Sequence, residues 1–214
     1  MPTSEPKLKV VYIPHKTFRL ISQMYDVVLG CFAYYIYFKA IQKIKTKTHN
    51  DWLIATHNAY YDLCILHWCM LFGSQDNEPT HFLHLAKNAF NLSNPISSLL
   101  KTTATTLNNH ILAQSSIKQS DFYKFKKNTI KYRNKNLIHR EHNPNTIHDK
   151  CMHRPNTEYI IKSAFSLYKL IKDMCESFPS SPDKQNKYLF AYRIFESRQM
   201  LSSYFLKTFP RSVK

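Results

Sequence analysis

No stretch of the chain alternates regularly between apolar and polar residues, so the pattern does not indicate β-strands. Prolines and capping residues divide the sequence into lengths typical of helices. The predicted helices run from Thr17 to Thr46, from a cap at Asn50 or Asp51 through Trp52 to Phe72, from Pro79 through Leu83 to Phe90, from Pro95 to Ala113, from a cap at Ser120 or Asp121 to Ile138, from a cap at Asn156 through Tyr159 to Cys175, and from Asn186 to Leu206.

These elements predict an all-α fold, an antiparallel helical bundle of about six to seven helices. No linker is long enough to divide residues 1–214, so we expect a single domain, with residues 1–15 as a loosely ordered segment. The only glycines are Gly30 and Gly73. Sandwiches, barrels, dinucleotide-binding fingerprints and P-loops need more glycines than this and are excluded. Gly73 is predicted to end the second helix.

The composition favours a globular, strongly basic protein. Hydrophobic residues make up 43% of the 214 residues, which excludes disorder as the main state. Thirty Lys and Arg against 14 Asp and Glu give a formal charge of +16. The expected partner is therefore a polyanion, either a nucleic acid or an anionic membrane, or an acidic protein.

The cysteines and the apolar residues favour the cytoplasm over an oxidising compartment or a membrane. Five cysteines form no CxxC pair, and the N-terminus lacks the apolar core of a signal peptide. The longest apolar run, Val27–Phe38, is 12 residues, against the roughly 20 that span a bilayer, so we expect a buried helix. Its aromatic residues are expected in the core or at a dimer interface: Phe32, Tyr34, Tyr35, Tyr37 and Phe38.

The helix predicted from Asp121 to Ile138 has two distinct faces. Phe122, Phe125, Ile130, Tyr132 and Leu137 fall on one face, and Lys124, Lys127, Lys131 and Lys135 on the other. Arg133 projects near the centre of the apolar face, where an unpaired guanidinium would be costly. Two interpretations stay open: Arg133 pairs with an acid such as Asp62 or Glu158, or it faces an anionic substrate across a cleft or subunit interface.

His139 follows Arg133 by six residues, and the polar Asn134 comes directly after the arginine. This R-x(4–6)-H arrangement resembles the motif of the HEPN ribonucleases, which are small helical-bundle proteins. The stretch His67–Ser74, followed by Pro79–Phe82, also resembles the middle of bacterial HEPN-type proteins, some of them linked to phage defence. The resemblance covers Asp51 to His142.

The resemblance implies a metal-independent endoribonuclease that leaves 2′,3′-cyclic phosphate and 5′-hydroxyl ends and needs no cofactor. It assigns proton transfer to His139, stabilisation of the transition-state charge to Arg133 and an auxiliary polar role to Asn134. These residue types suit the chemistry, because histidine titrates near neutrality and arginine keeps its charge. The family context implies a toxin or an abortive-infection effector, neutralised by an acidic or nucleotidyltransferase-type antitoxin.

The spacing of the two motif residues restricts how they can act together. Residues six apart on a continuous helix differ by about 120° in azimuth and about 9 Å along the axis. Either the helix unwinds near Ile138, or the site is composite, formed by motifs of two chains at a two-fold axis. Because family members generally use such a dimer, the resemblance implies a homodimer.

Basic side chains around the motif are candidates for contacts with an RNA backbone: Lys126, Lys127, Lys131, Lys135 and Arg140. The lysine stripe points away from Arg133, so it would contact RNA beyond the scissile bond, bind an acidic antitoxin, or form a solvated face. Two non-enzymatic functions also stay open: a HEPN-like module that binds nucleotide or RNA without cleaving it, and a helical interaction subunit with an acidic protein partner.

Histidines and cysteines raise two further questions. His148, Cys151 and His153 could bind zinc, but their spacing matches no recurring zinc framework, so a His-rich surface or RNA-contacting loop is favoured over a metal site. Cys64 and Cys69 lie on an apolar helix and are expected in the core.

Overall fold

The computed structural model describes residues 15–45, 50–74, 76–85, 104–138 and 154–176. They form five α-helices: α1 His15–Lys45, α2 Asp51–Phe72, α3 Ala104–Ser115, α4 Gln119–Tyr132 and α5 Thr157–Glu176. A π-helical segment, Arg133–Ile138, continues α4. The described residues contain no strand, which confirms the all-α class for this part of the chain. The total of six to seven helices and the HEPN-like topology stay predictions.

Local capping signals place two helix starts correctly. The side chain of Asn50 accepts hydrogen bonds from the backbone N–H groups of Trp52 and Leu53, at 2.9 and 3.4 Å. Asn156 Oδ1 accepts one from the N–H of Glu158 at 2.8 Å. Both caps satisfy donors that the first helical turn cannot pair internally, as asparagine does at such positions.

Two other predicted boundaries are wrong. Pro79 does not open a helix, because residues 79–83 form turns and irregular backbone, with i→i+3 hydrogen bonds from His84 to His81 and from Leu85 to Phe82. Helical backbone begins at His84 and Leu85, and the remainder of the predicted helix, to Phe90, lies outside the described residues. The cap of α4 is Lys118, which makes no side-chain capping bond, rather than Ser120 or Asp121. The predicted helix Asn186–Leu206 and the predicted start at Pro95 lie outside the described residues.

The core forms where α1 packs against α2 and α5, and α3 also packs against α5. The thiols of Cys31 on α1 and Cys64 on α2 are buried, with their sulfur atoms 3.9 Å apart. By length and composition, Arg19–Ile44 of α1 could cross a membrane, a property that long core helices share. Buried residues of α1 contribute to one continuous core: Ile21, Met24, Tyr25, Val28, Cys31 and Phe32.

The aromatic run of α1 divides between the core and the surface. Phe32, Tyr35 and Phe38 are buried. Tyr34 is half-buried and Tyr37 is 48% exposed, and both rings contact Tyr60 of α2, at centroid distances of 6.1 and 5.2 Å. The expectation of a core position is therefore confirmed for three of the five aromatic residues.

Trp68 of α2 lies at the centre of the core and is fully buried. Its ring stacks on Phe72 and meets Phe122 and Phe125 of α4 edge to face. Its indole Nε1 donates to Ser163 Oγ of α5 at 2.8 Å. Because a buried N–H must be paired, this bond fixes the tryptophan in orientation as well as depth.

The loop after α2 satisfies the carbonyl groups that end the helix. Gly73 N–H donates to the carbonyl of Cys69 at 2.7 Å, Thr80 Oγ1 to that of Met70 at 3.1 Å, and Phe82 N–H to that of Leu71 at 3.0 Å. Such pairing is needed because the last carbonyls of a helix have no partner within it.

Gly73 ends α2 as predicted, but not through the left-handed conformation usual for a glycine at this position, since its φ is −71°. Glycine is required here for space, because a Cβ at this position would collide with the carbonyl oxygen of Cys69. The loop therefore packs directly against the end of α2.

Candidate functional site

Arg133 follows α4 and begins the π-helical segment. Its backbone is still α-helical, with φ −52° and ψ −54°, and its N–H reaches the carbonyls of Thr129 and Ile130. The residue is only 8% exposed, so the prediction that Arg133 faces inward is confirmed. It is positioned by the amphipathic pattern of α4, whose buried face includes Phe122, Phe125 and Thr129.

The guanidinium of Arg133 is held by two side chains. Nη1 forms an ion pair with the Glu78 carboxylate, and Nε donates to Asn134 Oδ1 at 3.1 Å. The side chains of Arg133 and Glu78 are 10% and 17% exposed. Glu78 belongs to the loop after α2, so this pair connects the loop to the π-helical segment.

Both acids proposed as partners of Arg133 from the sequence are engaged elsewhere. Asp62 Oδ1 accepts a hydrogen bond from the hydroxyl of Tyr132 at 3.0 Å, and Glu158 forms an ion pair with Lys162 at 2.7 Å. The kind of partner was predicted correctly, but the residue is Glu78. No sequence spacing signals this contact, because the two residues are 55 positions apart and meet only through the packing of the loop against α4.

The Cys69 thiol lies close enough to this ion pair for both charges to influence its pKa, and Lys126 also lies near the thiol. The pKa of the Cys69 thiol is raised to about 12, mainly by burial. The charges of Arg133 and Lys126 oppose this increase, and the Glu78 carboxylate adds to it. Burial also lowers the pKa of Lys126, whose side chain is half-buried. Lys126 makes no hydrogen bond or ion pair with any residue that the structure describes.

His81, in the loop after α2, is fully buried near Lys126. Its Nδ1 accepts a hydrogen bond from the N–H of Leu83 at 3.2 Å, which places the proton of the neutral ring on Nε2. Nε2 forms no hydrogen bond of good geometry with a described residue, although carbonyls of the α2 end lie nearby. Burial, with smaller contributions from Lys126 and His84, lowers the pKa of His81 to about 4, so the ring is neutral at pH 7.

The helix changes character at the motif. Over Arg133–Ile138 the backbone is π-helical, with the wider i→i+5 hydrogen-bonding pattern. The change begins at Arg133 rather than near Ile138, so the azimuth expected for a continuous α-helix does not apply across the motif. π-Helical turns inside helices occur frequently at functional sites. His139, the other motif residue, lies outside the described residues.

A second polar cluster fixes Tyr132, the residue before Arg133. The Tyr132 ring meets the Tyr61 ring edge to face, with centroids 5.9 Å apart. Tyr61 donates its hydroxyl hydrogen to the carbonyl of Pro155 at 2.8 Å, and the Arg154 guanidinium lies 5.0 Å from the centre of the Tyr61 ring. Burial raises the pKa of both tyrosines well above the usual range. The cluster ties α4 to α2 and to the segment before α5.

The basic residues of α4 and its π-helical extension fall into two groups. Lys127, Lys131 and Lys135 are exposed, as the predicted stripe requires, whereas Lys126 is half-buried and faces the loop after α2. Asn134 is half-buried beside Arg133. Arg140 lies outside the described residues, so its relation to this surface stays a prediction.

Among the residues that the structure describes, no three His, Cys, Asp or Glu side chains are grouped in a way that could hold a metal ion. The zinc candidates His148, Cys151 and His153 lie outside them. Cys64 and Cys69 are buried, which confirms the expectation that they are core residues.

The chain matches no protein-family model, no curated protein and no solved structure.

Proposed function

We propose that this chain is a metal-independent endoribonuclease of the HEPN type, which cleaves RNA to 2′,3′-cyclic phosphate and 5′-hydroxyl ends. The observation that carries the proposal is the Arg133–Asn134 pair at the start of the π-helical segment, together with the half-buried Lys126, which like Arg133 lies near the Cys69 thiol. A fixed guanidinium and a lysine without a carboxylate partner among the described residues favour a site that binds a phosphate group.

Arg133 has donors left for such a phosphate. A guanidinium carries five N–H donors. Glu78 accepts at Nη1 and Asn134 accepts at Nε, and no other described residue bonds to the group. The two partners orient the guanidinium, so a phosphate that approaches the remaining donors meets a preformed fork.

In the proposed reaction, the 2′-hydroxyl of the RNA attacks the adjacent phosphorus and the 5′-oxygen leaves. His139 moves the protons that this displacement requires, and Arg133 stabilises the negative charge that gathers on the phosphorane oxygens. The buried His81 is not assigned a proton-transfer role, because its pKa of about 4 keeps it neutral at pH 7 and its Nδ1 is engaged by the backbone.

We further propose that the active form is a homodimer with a composite site, held inactive by an acidic or nucleotidyltransferase-type antitoxin in a toxin–antitoxin or phage-defence setting. The formal charge of +16 supports both RNA and an acidic protein as partners. Failure to dimerise at micromolar concentration would contradict the composite site.

Cleavage of RNA in excess EDTA tests the proposal. Wild-type protein is expected to cleave, His139→Ala to lose cleavage, and His142→Ala, a matched histidine outside the motif, to retain it. Arg133→Lys, which keeps a positive charge opposite Glu78, is expected to slow cleavage by about 100-fold or more, because the planar fork is lost. Equal cleavage by wild type and His139→Ala would overturn the assignment.

Mixing two inactive variants tests the composite site. If each site takes Arg133 from one chain and His139 from the other, a dimer of one Arg133→Lys chain and one His139→Ala chain contains one intact site. Random exchange should then restore about a quarter of the wild-type rate. No recovery after verified subunit exchange would place both residues of a site on one chain.

The Arg133–Glu78 ion pair favours a second candidate function, a HEPN-like module that binds RNA or nucleotide without cleaving it. A mostly buried ion pair gives the arginine a role that needs no catalysis, while the donors left on its guanidinium can still bind a phosphate. This candidate predicts RNA binding that is weakened by Arg133→Lys and unchanged by His139→Ala, with no cleavage by either protein.

A further inference from the structure

The exposed side of α4 carries an aromatic ring among its lysines. Tyr123 is 55% exposed, and its side chain makes no hydrogen bond or ring contact with any described residue. Lys126 and Lys127 follow it by three and four positions, so both are its neighbours on the helix surface. More than half of this large aromatic side chain is therefore left in solvent beside the two lysines.

Lys126 lies between Tyr123 and Arg133 on the helix surface. At 100° and 1.5 Å per residue, Lys126 lies about 60° around the helix and about 4.5 Å along it from Tyr123. Arg133 lies within about 20° of Lys126 in azimuth and about 10.5 Å further along. Tyr123, Lys126 and Arg133 therefore follow a line that winds about 80° around α4 and its π-helical extension, with Lys126 between the other two, although the exposed stripe of lysines points away from Arg133.

Lys126 is the positively charged member of this line that has no ion-pair partner among the described residues. Its side chain is half-buried, yet no described carboxylate pairs with it. Nearby are the Cys69 thiol and the neutral ring of His81, neither of which compensates the charge of an ammonium group at pH 7. A phosphate oxygen would supply the missing counter-charge.

We propose that single-stranded RNA lies along α4, with one base stacked on the Tyr123 ring and the adjoining phosphate bound by Lys126 on the way to Arg133. Single strands are favoured over duplexes because only an unpaired base can leave its stack to lie on a protein ring. This inference rests on the proposed function for the identity of the polyanion, and it adds the strandedness of the RNA and the residue that selects it.

The test measures binding without cleavage. The probe is a fluorescent oligouridine of about twelve nucleotides in 2′-O-methyl form, which cannot form the attacking 2′-hydroxyl, used alone or paired with its complement. Wild-type protein is expected to bind the single strand at least about tenfold more tightly than the duplex. Tyr123→Ala is expected to weaken single-strand binding about tenfold, whereas Tyr123→Phe stays within about twofold because stacking needs the ring and not the hydroxyl.

Two matched controls separate this surface from general effects. Tyr37→Ala removes another exposed tyrosine, on α1, and is expected to leave binding unchanged. Lys126→Ala is expected to reduce the salt slope of single-strand binding by about 0.7, as loss of one phosphate contact does, whereas Lys43→Ala, at an exposed position of α1, leaves it unchanged. Equal affinity for the single strand and the duplex would overturn the proposal, and so would a Tyr123→Ala affinity equal to that of wild type. Binding of polyglutamate without any binding of RNA would also overturn it.

The outcome is separable from that of the ribonuclease proposal. If Tyr123→Ala binds like wild type while wild-type protein still cleaves RNA in EDTA, only the stacking surface is refuted. If binding depends on Tyr123 but no variant or wild-type protein cleaves RNA, the surface is supported and the ribonuclease activity is refuted.

Discussion

Removing Arg133 should destabilise the protein by leaving Glu78 as an uncompensated carboxylate. Loss of one partner of a buried ion pair costs about 3–5 kcal/mol. The Glu78 side chain is 17% exposed, so water can reach part of it. We therefore expect the loss of stability in Arg133→Ala to lie at the lower end of this range, about 3 kcal/mol. For a chain of this length, that corresponds to a decrease in Tm of about 6–12 °C.

A double-mutant cycle isolates the pair from other effects of the substitutions. Arg133→Ala, Glu78→Ala and the double variant are unfolded in urea and followed by far-UV circular dichroism. Because the second substitution removes the unpaired charge that the first one leaves, the double variant should lose clearly less free energy of unfolding than the two single variants lose together. We expect a coupling energy of about 2 kcal/mol. A coupling below about 0.5 kcal/mol would refute the ion pair as the structural anchor of Arg133.

Three further predictions follow from groups around the end of α2 and in the core. The pKa of His81 is lowered to about 4 in the fold, so the buried neutral ring contributes fully to the free energy of unfolding above about pH 6.5. As the pH falls to 4, protonation in the unfolded chain should reduce that free energy by about 2–3 kcal/mol. Unfolding curves of His81→Asn should lack this part of the acid dependence, and identical pH profiles for the variant and the wild type would contradict it. Gly73→Ala should cost about 1–3 kcal/mol in urea unfolding, because its Cβ collides with the carbonyl of Cys69, and an unchanged midpoint would contradict the close approach. In the native protein at pH 8, a disulfide reagent should not modify Cys31, Cys64 or Cys69, because all three are buried and burial raises the pKa of Cys69 to about 12. Mass spectrometry maps the modified residues, and rapid modification of these three would argue against this core.

The parts of the fold that the sequence predicted depend on local interactions. Asn50 and Asn156 cap their helices through bonds that span two or three residues, so the residue type alone identifies them. The exposed lysines and the inward position of Arg133 follow from helical periodicity, which is also local. The loop after Pro79 shows the limit, because the turns there are set by the carbonyls of α2 that they cap.

The candidate site could be predicted only in part, for the same reason. Glu78 pairs with a residue 55 positions away, and no local pattern specifies such a contact. Periodicity places Lys126 within about 20° of Arg133 in azimuth and outside the exposed stripe, but its burial also depends on the loop after α2, which packs beside it. The π-helical segment also has no distinct signature, since Arg133–Ile138 continues the composition of α4.

The chemical nature of the RNA ends distinguishes metal-independent cleavage through His139 from every alternative function. A single-stranded RNA is incubated with wild-type protein in excess EDTA, and its products are analysed by mass spectrometry beside those of His139→Ala. We expect 2′,3′-cyclic phosphate and 5′-hydroxyl ends from wild-type protein and intact RNA with the variant. Intact RNA in both samples, or 5′-phosphate ends from either protein, would contradict it.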